Sequence, residues 1–259
     1  MKYHIVSGPV VETRVSLLPV KSPRKTRGTR KAGSSSMRKI SLNERQEALR
    51  LARILNANFF GGGYLVTFKY SDGRLPADYE ALCRNGQALM KKLSALCRKN
   101  GTQLKRVLIN ANHNPKKDCA ARFHHHVVLN EIPMNLLREL WPEGEIDVRS
   151  LRMGDLTNLA AYLYQNVKVG AGKKHWAPSR NLDKPIYTEP VPVADEEIEP
   201  PAGAAQIYQE PSFDEDGRQV GSYLRCVLPE PPKVRGSQVI IPKPKRGGRK
   251  HGRADYAAV

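Results

Sequence analysis

Two apolar segments close together in the chain set the strongest limit on its fold. KRVLINA (105–111) and RFHHHVVLN (122–130) are rich in apolar and β-branched residues, which predicts two strands. Only about ten residues separate them, too few for the crossover connection that parallel neighbours need, whereas a short turn can join an antiparallel pair. We therefore expect an antiparallel hairpin here.

Further segments with helical or strand periodicity surround this hairpin. The patterns predict helices and strands in the order helix, strand, helix, strand, strand, helix, strand, helix. Besides the hairpin, the predicted strands are 64–70 and 144–150, and the predicted helices are 43–57, 77–99, 134–141 and 155–167. This order predicts an α+β fold in which one antiparallel central sheet carries its helices on one face.

Charge is distributed unevenly along the chain. Residues 21–39 carry eight basic residues and no acid, whereas 189–216 carry nine acids and no Lys or Arg. Segments of this kind cannot bury enough apolar surface to fold alone. The expected organisation is a basic N-terminal arm (1–42), a folded domain (43–188), and an acidic linker with a basic C-terminal tail (189–259).

Composition narrows the class of partner. The 43 Lys and Arg outnumber the 25 Asp and Glu, giving a net charge of +18, which favours a polyanion such as nucleic acid. No apolar run approaches the roughly 18 residues of a membrane-spanning helix, and the N-terminus lacks the pattern of a secretory signal. The four cysteines form no CxxC pair, which disfavours a disulfide framework or a four-Cys zinc site. We expect a cytoplasmic protein with no membrane partner.

Three consecutive histidines lie in the second strand of the hairpin. Because side chains alternate across a strand, His124 and His126 should share one face, about 6–7 Å apart, and His125 should face the other way. Two imidazoles on one face can bind one divalent metal ion. Asn112 or His113, at the end of the neighbouring strand, could supply a third ligand. The alternative is three polar residues on a half-exposed strand.

The predicted helix 155–167 carries two tyrosines. A tyrosine hydroxyl, with a pKa of about 10, is a poor nucleophile unless a metal or a cation assists it. Lys168 follows Tyr164 by one helical turn, and Gln165 follows Tyr162 by three residues. Tyrosines packed in a core are the alternative. Together with a two-histidine metal site in a basic protein, this helix indicates phosphodiester cleavage with covalent capture on tyrosine.

Four segments, in this order, resemble a known family. YLVTFKY (64–70), FHHHVVL (123–129), NLAAYLYQNVK (158–168) and HWAPSRNLDKP (175–185) are similar to motifs of rolling-circle replication initiators of the HUH endonuclease superfamily. These initiators occur in plasmids and in phages with single-stranded DNA. The resemblance extends from about residue 1 to 190. Its specificity comes from the order and spacing of all four motifs, since the histidine motif alone is short.

The resemblance implies an RRM-like sheet and a nicking and joining activity on single-stranded origin DNA. It implies that Tyr162, by its position in the motif, attacks the phosphate, with Tyr164 as the alternative nucleophile. The products would be a 5′-phosphotyrosine adduct and a free 3′-OH, and the same chemistry would rejoin strands. It also implies that His124, His126 and Asn112 hold Mg²⁺ or Mn²⁺.

The chain departs from the family pattern at three positions. His125 stands where the family usually has a hydrophobic residue between the two metal-binding histidines. Asn112 stands where an acidic third ligand is common. Gln165 stands three residues after Tyr162, where relatives commonly have Lys. A non-catalytic single-stranded nucleic-acid-binding protein is therefore one alternative.

The resemblance also bears on partners. Lys69, Lys168, Arg180 and the arm segment 24–31 are candidate contacts to DNA phosphates, and a host helicase and polymerase are further expected partners in a prokaryotic cell. No GxxxxGK[ST] phosphate-binding loop occurs in the sequence, which argues against an initiator or relaxase fused to a helicase. A relaxase-like or transposase-like HUH enzyme with the same chemistry is the other alternative.

Overall fold

The computed structural model describes residues 1–16, 37–133, 135–138, 140–170, 173–193, 198–213, 219–235 and 238–243. The helices in these ranges are α1 (Met37–Phe59), α2 (Tyr79–Lys99), α3 (Asn135–Arg138) and α4 (Thr157–Gln165). The strands are β1 (Lys2–Ser7), β2 (Val10–Ser16), β3 (Tyr64–Tyr70), β4 (Arg106–Asn114), β5 (Cys119–Leu129), β6 (Gly144–Ser150), β7 (Ala177–Pro178), β8 (Ile186–Tyr187), β9 (Ala205–Phe213), β10 (Gln219–Val227), β11 (Lys233–Arg235) and β12 (Gln238–Ile240). Among the helices so described, none is long and apolar enough to cross a membrane.

The first sheet contains the predicted hairpin. Its strands follow the order β6-β3-β5-β4-β7, and every neighbouring pair is antiparallel. In the hairpin, Leu108 pairs with Val127 and Ile109 with His126. The other long edge of β5 pairs with β3, where Thr67 lies opposite His126. The prediction of an α+β fold with an antiparallel sheet is confirmed, and the histidine strand lies at the centre of that sheet.

Helices cover both faces of this sheet, so the prediction of helices on one face only is wrong. Leu108 and Val127 lie in an apolar cluster with residues of α2 and α3. Val107, Ile109 and Val128, which alternate with them along the strands, lie in a second cluster with residues of α1 and α4. Consecutive buried residues in β4 and β5 are the expected result, since each face of these strands meets a helix layer.

A second five-stranded sheet forms from the two ends of the chain. Its strand order is β8-β1-β2-β10-β9, all antiparallel. The expectation of an arm over 1–42 and of a linker and tail over 189–259 is wrong where these strands form, because their apolar side chains are buried. Val11, Leu224 and Cys226 are each fully buried there. Most of the predicted basic segments, 21–39 and 243–253, lie outside the described residues, which include only 37–39 and 243 of them.

A buried ion pair connects the second sheet to α1. Arg53 of α1 donates two hydrogen bonds to Glu12 of β2, from Nε to Oε1 (2.7 Å) and from Nη2 to Oε2 (2.6 Å). The hydroxyl of Tyr223 in β10 donates a third bond to the same carboxylate at 3.2 Å. The side chains of Arg53 and Glu12 are only 7% and 4% exposed. Because both charges are desolvated and paired, the contact fixes α1 on the second sheet.

Candidate active site

The histidine pair lies on the face of the first sheet that α4 borders. His124 Nε2 and His126 Nε2 are 3.0 Å apart. His124 Nδ1 donates a hydrogen bond to the carbonyl oxygen of Arg122 (2.8 Å), so in its neutral form the proton is on Nδ1 and the lone pair of Nε2 faces His126 Nε2. On β3, Thr67 Oγ1 lies 3.0 Å from His126 Nδ1. Both rings are therefore held by their second nitrogen, with their Nε2 atoms directed toward each other.

A cavity of about 760 Å³ opens beside these two rings. Tyr162 of α4 lies on its wall, and the centroid of the Tyr162 ring is 6.0 Å from that of His126. The other side chains come from β3, β5, β6 and the turn after β3. They are Leu65, Lys69, Tyr70, Ser71, Asp72, Arg122, Phe123, Glu145, Asp147 and Arg149, with Thr67. The cavity thus combines two imidazoles, a phenol and both signs of charge.

Burial keeps the two imidazoles neutral. It lowers the pKa of His126 to about 3, with a further contribution from its histidine neighbours. Burial also lowers the pKa of His124, an effect opposed by its bond to the carbonyl of Arg122 and reinforced by Lys69. A neutral imidazole offers a lone pair to a metal ion, whereas an imidazolium repels it. Both rings are therefore in the protonation state that metal binding requires.

The two Nε2 atoms are at hydrogen-bond distance, 3.0 Å apart. A divalent metal held by both rings would replace that contact, since imidazole binds metal through a ring-nitrogen lone pair. Within the described ranges, however, no group of three His, Cys, Asp or Glu side chains is close enough to hold an ion. The residues present fit two ligand positions of a divalent metal.

The predicted third ligands are not brought to the histidine pair. Both ends of the Asn112 side-chain amide bond to the backbone of Lys168: Nδ2 donates to the carbonyl oxygen and Oδ1 accepts from the N–H, each at 2.9 Å. His113 contacts the carbonyl oxygen of Gln165 and the carboxylate of Asp118 at 3.0 Å each. These two side chains anchor the segment that follows α4 to the end of β4.

The structure separates the two candidate tyrosines. Tyr162 is 41% exposed and lines the cavity with the histidine pair. Tyr164 is 9% exposed, belongs to the apolar cluster of α1 and α4, and stacks on the ring of His175 with centroids 4.2 Å apart. Burial raises the pKa of Tyr164, which further opposes ionisation of its hydroxyl. Of the two phenols, only that of Tyr162 lies in the cavity.

The position of α4 depends on α1 and on the second sheet. Asn56 of α1 donates to Asp155 Oδ1 (3.0 Å) and accepts from the backbone N–H of Leu156 (2.7 Å). Asp155 also accepts from the backbone N–H of Thr157, the first residue of α4. Arg225 of β10 lies 2.9 Å from the other oxygen of Asp155. Residues far apart in sequence thus fix the start of the helix that carries the cavity tyrosine.

The middle histidine has a different role from its neighbours. His125 is fully buried on the α2 face, where its Nδ1 lies 2.8 Å from Asn110 Oδ1 and the Tyr70 hydroxyl lies 2.7 Å from its Nε2. A neutral ring with its proton on Nδ1 satisfies both contacts, since the ring then donates to Asn110 and accepts from Tyr70. Burial lowers the pKa of His125 to about 3. His125 is part of the core, which explains how the chain accommodates a polar residue at this position.

The three candidate DNA-contacting residues lie in different places. Lys69 lines the histidine cavity and is 3.7 Å from Glu145. Lys168 lies three residues beyond the end of α4 and pairs with Asp118 at 3.2 Å. Arg180 is exposed and lines another cavity, at the far end of β4. Only Lys69 is brought together with the histidine pair and Tyr162.

Sequence reasoning missed several residues of the cavity. Thr67, which contacts His126, is assigned no role by motif, and the acidic side chains of Glu145 and Asp147 come from an edge strand. The strand register identifies Thr67 and Asp147, because Thr67 in β3 lies opposite His126 of β5 on one side and opposite Asp147 of β6 on the other. The pattern of GEIDVRS already predicts a strand, but its pairing partner could not be predicted from the sequence.

Comparison of the chain with models of known protein families, with curated proteins and with solved structures gave no match. The residues of the cavity and their chemistry are therefore the basis for assigning a function.

Proposed function

We propose that this protein is a rolling-circle replication initiator that nicks single-stranded origin DNA and rejoins strands through Tyr162. The observation that carries the proposal is the shared cavity, in which an exposed tyrosine borders two neutral imidazoles whose Nε2 atoms are 3.0 Å apart. The first sheet of the protein is antiparallel with the histidine strand at its centre, which is compatible with the RRM-like HUH arrangement. The net charge of +18 supports a nucleic-acid substrate.

The chemistry is a transesterification at phosphorus. The Tyr162 hydroxyl loses its proton and its oxygen bonds to the scissile phosphorus, while the bond from phosphorus to the 3′-oxygen breaks. The 5′-phosphate stays on the tyrosine, and the departing oxygen takes up a proton to become a 3′-OH. Since one phosphodiester replaces another, the reverse attack rejoins the strand without ATP. Mg²⁺ or Mn²⁺ held by His124 and His126 would polarise the phosphate and offset its developing charge.

Other side chains of the cavity would position the strand. Lys69 presents its ammonium group to the cavity, where it can contact a backbone phosphate, and the exposed Tyr162 ring can stack on a base until it reacts. Thr67 holds the ring of His126 in place. The free 3′-OH would prime synthesis by a host polymerase, with a host helicase opening the duplex, in the cytoplasm of a prokaryotic cell.

A covalent adduct tests this proposal directly. The purified protein is incubated with Mn²⁺ and labelled single-stranded oligonucleotides tiled across the DNA element that encodes it, and a denaturing gel detects protein bound to DNA. We expect an adduct with wild type and with Tyr164→Phe, and none with Tyr162→Phe, with His126→Ala or after addition of EDTA. Tyr164→Phe is the matched control, since it removes the same hydroxyl from the same helix outside the cavity.

A non-catalytic binder of single-stranded nucleic acid is the second candidate. One observation favours it: the described part of the chain brings no third His, Cys, Asp or Glu to the histidine pair. This candidate predicts tight binding of the oligonucleotides without an adduct. An adduct that survives in Tyr162→Phe but is lost in Tyr164→Phe would instead refute the assignment of the nucleophile.

A further inference from the structure

A second cavity, of about 850 Å³, opens at the far end of β4, where α2 ends and the short strand β7 pairs with β4. Three arginines line it: Arg98 from the last turn of α2, Arg106 from the start of β4, and Arg180 after β7. The remaining described lining residues are uncharged. Among the described residues, the wall of this arginine cavity has three cationic groups and no acidic side chain.

The three cations have no counter-charge among the residues that the structure describes. Within the described ranges, no carboxylate lies at ion-pair distance from Arg98, Arg106 or Arg180, although many other basic side chains there are paired. Arg106 Nε is buried and has no hydrogen-bond partner among the residues described, and its Nη1 makes only a long contact of 3.4 Å to the carbonyl oxygen of Ala177. Burial lowers the pKa of Arg106, the direction expected for a desolvated cation without a partner. An anion in the cavity would supply a counter-charge to all three guanidinium groups.

The end of α2 does not explain these charges. Cations near a helix C-terminus can bind its last carbonyl groups. Here backbone N–H groups occupy those carbonyls: Asn100 donates to Leu96, Gly101 to Arg98 and Thr102 to Cys97. The guanidinium of Arg98 is therefore available for a ligand.

The arginine cavity is separate from the histidine cavity. Arg106 precedes Leu108 by two positions on β4, so it shares the α2 face of the sheet, whereas His126 and Tyr162 lie on the opposite face. Along the strand, Arg106 is three residues from Ile109, which pairs with His126, a distance of about 10 Å. A DNA strand that occupied both cavities would have to pass from one face of the sheet to the other.

We propose that Arg98, Arg106 and Arg180 bind the phosphodiester backbone of a DNA segment other than the one at Tyr162. This inference rests on the proposed function, because it assumes that DNA is the substrate. Guanidinium groups match phosphate oxygens in geometry and charge. The cavity is far larger than one phosphate group, which favours a chain of nucleotides as the occupant. The contact would hold the DNA on the protein on a face away from the nick.

The salt dependence of binding tests the inference. The affinity for a single strand of about 30 nucleotides, longer than the 4–16 that one compact site covers, is measured by fluorescence anisotropy at several salt concentrations. Each phosphate contact adds roughly 0.7 to the slope of log affinity against log salt. Arg98→Ala combined with Arg180→Ala should weaken binding on the order of tenfold and lower the slope by about 1.4. The matched control is Arg84→Ala with Lys91→Ala, exposed positions of α2 outside the cavity with the same change in charge.

The outcomes separate this inference from the proposed function. If both double variants have the same slope and affinity, the arginine cavity does not bind DNA and the inference is wrong, whatever the adduct assay gives. If wild type forms no adduct but the slope falls as expected, the inference stands and the nicking activity is refuted. A third measurement uses ATP as a free polyphosphate: tight ATP binding that needs Arg98, with no change in the DNA slope, would assign the cavity to a nucleotide and overturn the inference.

Discussion

The ion pair between Arg53 and Glu12 gives a prediction whose size follows from the structure. Glu12→Gln keeps the shape of the side chain but removes its charge, which leaves the guanidinium of Arg53 buried without a counter-ion. Three hydrogen bonds converge on the native carboxylate, and both side chains are less than a tenth exposed. Removing one partner of such a pair costs about 3–5 kcal/mol, far more than the 0–1 kcal/mol of an exposed pair.

Urea unfolding at neutral pH, followed by circular dichroism, measures this cost. With a slope of about 3 kcal/mol per molar urea, the loss should move the midpoint down by about 1–1.7 M. The double variant Glu12→Leu with Arg53→Met removes both charges together, so its free energy of unfolding should exceed that of Glu12→Gln. The exposed pair of Arg50 with Glu47 provides the control, since Glu47→Gln should change the free energy of unfolding by less than about 1 kcal/mol. A loss of less than about 1 kcal/mol in the free energy of unfolding of Glu12→Gln would refute the reasoning. So would a double variant whose loss equals the sum of the losses from Glu12→Leu and Arg53→Met alone.

Three further predictions concern the histidine strand. Gly86→Ala places a methyl group 2.6 Å from Asn110 Oδ1 and 3.1 Å from the His125 ring. The clash costs about 1–3 kcal/mol and the helix gain offsets about 1 kcal/mol of it, so thermal unfolding should show a net loss of up to about 2 kcal/mol. The pKa values of His125 and His126 are about 3 in the folded protein, whereas in the unfolded chain both rings protonate near pH 6.5. The free energy of unfolding should therefore be constant above about pH 7 and fall toward pH 3, by up to about 1.4 kcal/mol per pH unit for each residue. Greater stability at pH 5 than at pH 7.5 in chemical denaturation would contradict this. Thr67→Val removes the hydroxyl at His126 Nδ1, so calorimetry should show Mn²⁺ binding about 10–100-fold weaker; equal affinity would rule out this role.

Local patterns predicted the four long strands of the first sheet but neither β7 nor the strands of the second sheet. YLVTFKY and GEIDVRS form strands as predicted, because strand propensity and alternation act over a few residues. The pairing of β2 with β10 joins residues about 210 positions apart, such as Thr13 with Leu224, and no local pattern encodes it. The basic residues of 21–39 and the acidic residues of 189–216 also dominate the composition of the two end regions, and such a composition predicts segments that do not fold alone.

The sequence carries a signal that helices cover both faces of the first sheet. VLI at 107–109 and VVL at 127–129 are unbroken apolar runs, a pattern typical of strands covered on both faces, whereas a half-exposed strand alternates. These two runs therefore indicate helices on both faces of the first sheet.

The candidate site was predictable as far as alternation along one strand determines it. His124 and His126 share a face and His125 faces away, as expected from a period of two. The role of Asn112 could not be predicted, because the β4 ladder is irregular between Ala111 and His113 and turns the amide toward the backbone of Lys168. The separation of the two tyrosines also required the structure, since it depends on which side of α4 meets α1.

The alternation of the three histidines makes β5 sensitive to a change of frame. If one residue were inserted or deleted between the hairpin turn and His124, and the strand kept its partners, every side chain beyond that point would change faces. A single imidazole would then enter the cavity, and two would have to enter a core with one pair of polar partners, Asn110 and Tyr70. Changes of two residues preserve the faces. The length of this strand is therefore constrained by parity, and a library of single and double insertions in β5 would show folded proteins recurring at every second length.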